Sequence, residues 1–111
     1  MTYLVYTVRL TSASRADLAG FWSWVRAREA WFYAQLPMVK GVRRYSTVVG
    51  DISTVEIWQE FEDLRAYAAY TAKVAELRRD PEWERRRVEQ EERWEFLSSR
   101  VLADAPLPLA L

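Results

Sequence analysis

Residues 42–61 read VRRYSTVVGDISTVEIWQEF. From Val42 the side chains alternate, with Val42, Arg44, Ser46 and Val48 on one side and Arg43, Tyr45, Thr47 and Val49 on the other. A period of two is that of a strand. Gly50 and Asp51 supply a turn, and residues 53–61 alternate again, Val55, Ile57, Gln59 and Phe61 against Thr54, Glu56, Trp58 and Glu60. A parallel pair needs a long crossover, so a connection this short makes the two strands an antiparallel hairpin.

Working outward, residues 3–10 are rich in β-formers, with Leu4, Tyr6, Val8 and Leu10 on an apolar side and Tyr3, Val5, Thr7 and Arg9 opposite. Ser14, three residues before Asp17, resembles a capping box, and a helix is expected over 15–36. Its core stripe is Leu18, Phe21, Trp22, Val25, Phe32 and Leu36, with a second stripe of Trp24, Arg28, Trp31 and Gln35 beside it. One stripe covers a sheet, so the additional tryptophans call for a neighbouring helix, a partner subunit or a pocket. Beyond the hairpin, Leu64, Tyr67, Ala68, Thr71, Val74 and Ala75 mark a second long helix, to about residue 79. Asp80-Pro81 starts a third over 81–93, supported by Glu82–Arg86, Arg85–Glu89, Arg87–Glu91 and Glu89–Arg93 pairs and anchored by Trp83, Val88 and Trp94. A last strand spans 95–102, with Phe96, Ser98, Arg100 and Leu102 against Leu97, Ser99 and Val101. The leucines of the proline-rich tail are expected to dock along a partner.

The string β-α-β-β-α-(α)-β predicts an α+β, ferredoxin-like domain filling residues 1–111, a four-stranded antiparallel sheet with helices on one face. Its open face would carry Tyr3, Val5, Tyr45, Val49 and Trp58, a patch large enough to need cover. Pairing of two sheets in a homodimer, a dimeric α+β barrel, is the economical solution.

Composition narrows the chemistry. There is no Cys and no His, which removes thiol nucleophiles, Cys/His zinc sites, imidazole acid–base catalysis and His-ligated haem. Carboxylates alternate with arginines rather than clustering in a loop, and all three glycines are isolated, so neither a metal site nor a phosphate loop is expected. Sixteen acidic residues balance sixteen basic ones, leaving no net field for nucleic acid or an anionic membrane. Without a basic-then-apolar leader or a spanning apolar run, a cytoplasmic location is expected.

The ordered set Val-Val-Gly-Asp-Ile-Ser-Thr-Val-Glu-Ile-Trp (48–58), Phe-Glu-Asp-Leu (61–64), Asp-Pro-Glu-Trp (80–83) and Ser-Ser-Arg-Val-Leu (98–102) resembles the NIPSNAP family, and the likeness runs through most of the chain. The resemblance implies the dimeric α+β barrel, alongside antibiotic-biosynthesis and haem-degrading monooxygenases. Two positions depart from the family pattern: Glu56 stands where a His is usual and Ser14 where a Gly is common. The first matters more, since a carboxylate replaces a neutral ring. Haem-degrading relatives use a strand-1 Asn, an aromatic on the second long helix and a later His. The matching positions here are Val8, Tyr67 and the neighbourhood of Leu77, so that activity and a haem cofactor are not expected, with tyrosinate ligation by Tyr67 or Tyr70 the residual route.

Cofactor-free oxygenases of the superfamily imply a pocket with flat aromatic walls and an anion-holding group. Tyr6, Trp22, Tyr67, Trp83 and Trp94 are the candidate walls, and Arg44 or Arg43 the candidate anion holder. Glu56, bracketed by Val55 and Ile57, is the candidate general base if buried; on the open face it would pair with Arg43 or Arg9 instead. Three readings follow. The first is a homodimeric small-molecule-binding or scaffold protein of unassigned activity. The second is a cofactor-independent monooxygenase or isomerase acting on a small aromatic or polyketide-like molecule. The third is a subunit that pairs with another protein. A cavity on the order of several hundred Å³ lined by Tyr6, Trp22 and Tyr67 would favour the enzyme, and a filled core the scaffold.

Overall fold

The four strands, β1 (Thr2–Leu10), β2 (Gly41–Ser46), β3 (Thr54–Phe61) and β4 (Trp94–Ala103), form one antiparallel sheet in the order β2-β3-β1-β4. This is the ferredoxin-like arrangement. Each helical crossover returns its strand two places away, and the place between is filled by the antiparallel strand of the other half. The computed structural model describes residues 1–106, and the expected docking of the tail leucines falls on residues 107–111, outside the described residues.

The expected first helix is two. α1 (Ser12–Ala16) is capped by Thr11, and Asp17 leaves helical geometry to cap α2 (Leu18–Tyr33), its carboxylate accepting from the Gly20 N–H at 3.0 Å. Ser14 is therefore not the cap. It is buried, and its hydroxyl donates to the Arg93 carbonyl at 2.7 Å, while the Thr11 hydroxyl donates to the Glu92 carbonyl at 2.8 Å. These bonds tie α1 to the junction where α4 (Pro81–Arg93) enters β4.

The inward face of the sheet is Leu4, Tyr6, Val8 and Leu10 on β1 and Val55, Ile57, Gln59 and Phe61 on β3, as the alternation predicts. The helices present slightly different faces from those expected. On α2, Trp24 takes a core position with Phe21, Val25 and Phe32, while Leu18 and Trp22 are exposed. On α3 (Leu64–Leu77) the buried residues are Tyr70, Val74 and Leu77, with Leu64 in solvent. On α4 Val88 is exposed, and no residue of that helix is buried. The pairs Glu82–Arg86, Arg85–Glu89 and Arg87–Glu91 form; Glu89–Arg93 does not among the described residues.

Two strand readings are corrected. β2 ends at Ser46, so Val48 and Val49 belong to the hairpin loop, where Gly50 takes a φ of 121° that only glycine adopts freely. β4 carries a bulge opposite Thr7 and Val8, pairing Thr7 with Ser98 but Val8 with Phe96. The extra residue moves Phe96 to the inward side with Ser99 and Val101, against the strict alternation expected.

Candidate functional site

Two apolar clusters hold the helices on the sheet. One joins Tyr6, Val8, Leu10, Val55 and Ile57 to Phe21, Trp24, Val25 and Trp94. The other joins Phe61 to Phe32, Leu36, Tyr70, Val74 and Leu77. They do not merge. Charged α4 contributes no buried side chain to close the seam, so a groove of about 470 Å³ lies between them. Tyr6 and Trp94 line it from the first cluster, Phe32, Tyr70 and Val74 from the second, and Tyr67, Trp83 and Phe96 extend its walls. The Tyr6 ring stacks on Phe96 at 5.7 Å and meets Trp94 at 6.4 Å.

The groove is basic. Arg28 of α2 has its guanidinium carbon 5.2 Å from the Phe32 ring centre and 5.0 Å from that of Trp94, and its Nε donates to Gln90 Oε1 at 2.9 Å. Arg78 is the other charged residue in the lining, which includes no carboxylate. Cation–π contact steadies a guanidinium without neutralising it.

Four buried polar atoms of the groove residues, Tyr6 Oη, Arg28 Nη1, Gln59 Oε1 and Trp94 Nε1, have no hydrogen-bond partner among the described residues. Gln59 reaches inward from β3, and its amide nitrogen donates to the Tyr33 hydroxyl at 2.9 Å. Burial pushes the Tyr70 phenol up to about 12, helped by Tyr6, and raises Tyr33 as well. That works against a tyrosinate at Tyr70.

No protein-family model matches the sequence, and no curated protein matches it. Solved structures do. An uncharacterised NIPSNAP domain protein from Burkholderia xenovorans superimposes with a TM-score of 0.70 at 19% identity, over 97% of this chain and 98% of the other. A NIPSNAP family protein from Agrobacterium tumefaciens gives 0.65 at 16% identity over 100% of both chains. The fold is that of the NIPSNAP proteins. A candidate antibiotic biosynthesis monooxygenase from Deinococcus radiodurans shares it more distantly, at a TM-score of 0.50 and 11% identity over 100% of this chain and 98% of that one. No helix of the described residues is long and apolar enough to cross a membrane.

On this NIPSNAP fold, four residues singled out in the sequence, Tyr6, Tyr67, Trp83 and Trp94, line the same groove. Trp22 and Arg44 do not. They line a separate cleft on the other side of α2, where the buried Glu29 carboxylate takes both arms of the Arg44 guanidinium. Glu56 lies on the open sheet face, bonded to Arg100 at 3.3 Å. Its expected partners are engaged elsewhere, Arg9 with Asp51 and Arg43 with Glu60. Arg43 is exposed on that same open face. Arg28, Gln59 and Tyr70 were missed as groove residues. A signal existed for two of them: Gln59 is the one polar member of the inward set on β3, and Arg28 sits inside a tryptophan stripe.

Proposed function

We propose that the chain is a single NIPSNAP-type domain that works as a homodimer and binds a small molecule in the groove between the sheet and α2, α3 and α4. The observation that carries this is the set of four buried, unpartnered polar atoms around one cavity. Buried polar groups are nearly always satisfied, and four such atoms on the residues that line one aromatic pocket fit a site completed by a ligand. The open face supports the dimer. There Trp58 packs between Tyr3 at 5.8 Å and Tyr45 at 6.0 Å, and its indole nitrogen is the fifth orphan. The charges beside it pair off, so this aromatic cluster sits among compensated ion pairs.

The second reading, a cofactor-independent monooxygenase or isomerase acting on an aromatic or polyketide-like substrate, draws on the groove and on the Deinococcus likeness. Against the criterion of a cavity lined by Tyr6, Trp22 and Tyr67, the groove has the two tyrosines and lacks Trp22. It also has no carboxylate in its lining to act as a base, which favours binding as the primary role.

Native mass spectrometry of the purified protein tests the proposal. The expected species is a dimer with added mass. Ala75 is exposed at the groove, so Ala75→Trp should fill it and remove that mass while keeping the dimer, with stability within about 0.5 kcal/mol. Added mass that survives Ala75→Trp, or a bare dimer, would count against the groove. A monomer would count against the open-face interface.

A further inference from the structure

We propose that the tip of the β2–β3 hairpin, residues 48–52, inserts into an anionic lipid surface, with the start of α2 resting on the headgroups beside it. This surface lies outside the groove and does not depend on the small-molecule reading.

The tip reverses the usual order of a loop, because its polar side chains are committed to the loop itself. Asp51 Oδ1 accepts from the Ser53 N–H at 3.0 Å, and Arg9 donates to Asp51 Oδ2 at 2.9 Å. The Thr54 hydroxyl donates to the Asp51 carbonyl at 2.7 Å and lies 2.8 Å from the Thr47 hydroxyl. The aliphatic side chains are the ones in solvent. Val48, Val49 and Ile52 are 86%, 92% and 77% exposed, beyond the last bond of the hairpin, from the Thr47 N–H to the Thr54 carbonyl. Single apolar residues scattered on a surface need no explanation, but three on one preorganised tip mark a contact surface.

The tip has apolar neighbours. The Leu10 N–H donates to the Ser53 carbonyl at 2.9 Å, so the tip projects from the end of the sheet where β1 passes into α1 and α2. Leu18, the first residue of α2, is exposed at that end, as is Trp22, which lines a cleft with Arg44 of β2.

Charge and shape choose the partner. Asp51 is matched by Arg9, and Asp17 caps α2 by accepting from the Gly20 N–H. Arg15 and Arg26 meet no carboxylate among the described residues. Arg15 donates to the Leu10 carbonyl and the Ser12 hydroxyl, and Arg26 lines the Trp22 cleft, where Glu29 is taken by Arg44. A protein socket is typically held by aromatic or arginine anchors, among which valine is rare. Two valines and an isoleucine suit instead a partner that is fluid and apolar within and anionic at its surface. There the aliphatic groups enter the acyl boundary, the indole of Trp22 is favoured at the headgroup level and the arginines meet phosphates. The chain is neutral as a whole, so the attraction is local to this end.

Co-sedimentation of the full chain with vesicles of phosphatidylcholine, alone or with one quarter phosphatidylglycerol, tests this. The protein should pellet with the mixed vesicles and more weakly with the neutral ones. Val49→Asp and Ile52→Asp should each lower partitioning about tenfold or more, since a charge replaces an inserted aliphatic group. Both positions are exposed and outside the strands, so the melting temperature and the sedimentation without vesicles should stay as they are. Arg26→Gln should weaken binding about fivefold on the mixed vesicles and not on the neutral ones. Absence of binding, or binding that Val49→Asp and Ile52→Asp both leave intact, would overturn the proposal. So would a change of oligomeric state in Val49→Asp without lipid, which would make the tip a contact between two copies of the chain.

Discussion

Two clefts flank α2, each lined by two arginines, and in each one arginine is held by specific partners. On one side Arg44 meets the buried carboxylate of Glu29 in a two-point pair. On the other, Arg28 is held by Gln90 and the faces of Phe32 and Trp94, with no carboxylate in the lining. Both are basic residues beside tryptophans, and only their partners differ. The Glu29–Arg44 pair is closed, because each charge uses the other, and its role is structural. The guanidinium of Arg28 is oriented but uncompensated. An arginine marks a candidate anion site when its own fold leaves the charge unmatched, not merely when it lines a cavity.

The comparison breaks most readily at Arg44. Arg44→Leu strands the Glu29 carboxylate, which is 6% exposed, and should lower unfolding free energy by about 3 kcal/mol in urea titrations. Replacing both residues by leucine should recover most of that loss, and neither change should alter binding in the groove. If Arg44→Leu abolishes groove binding in a protein that is still folded, the two clefts are not independent.

A smaller effect is expected at the fifth orphan. Trp58→Ala should weaken self-association by about 2 kcal/mol, read by sedimentation at micromolar concentration, because a central tryptophan commonly dominates an interface. Unchanged sedimentation would remove Trp58 from the contact and sever the link between unpartnered atoms and binding surfaces.

The smallest effect sharpens the picture of the groove wall. Tyr70 titrates at about 12 when folded and 10.0 when unfolded, so the folded chain holds this proton more tightly. Its contribution to stability is whole below pH 10 and is lost as pH rises towards 12. Tyr70→Phe should therefore flatten the decline in stability across that window. An unchanged alkaline slope would mean the phenol is better hydrated than its burial implies.

The hairpin was legible because alternation reports directly which side of a strand is apolar, and β3 kept its inward set of Val55, Ile57, Gln59 and Phe61. The helices were less so. Where tryptophans fall on several sides of α2, periodicity alone does not choose between Trp22 and Trp24, and the sheet buried Trp24. The site divided in the same way. Tyr6, Tyr67, Trp83 and Trp94 could be named as aromatic candidates, but the choice between Arg28 and Arg44 depended on which of them a buried glutamate would reach.

What the sequence determined by itself is what short-range physics carries: the hairpin, the Asp80-Pro81 start of α4 and the β-α-β-β-α-(α)-β string, which the structure keeps except that the first helix divides in two, and which leads to the NIPSNAP fold. What only the tertiary structure decided is how distant side chains share partners. The bulge that moved Phe96 inward, the seam between two cores and the pairing of Glu29 with Arg44 join residues far apart in the chain. Satisfying a buried charge or a polar atom is a question of what lies within about 3 Å in space, and no local pattern records it.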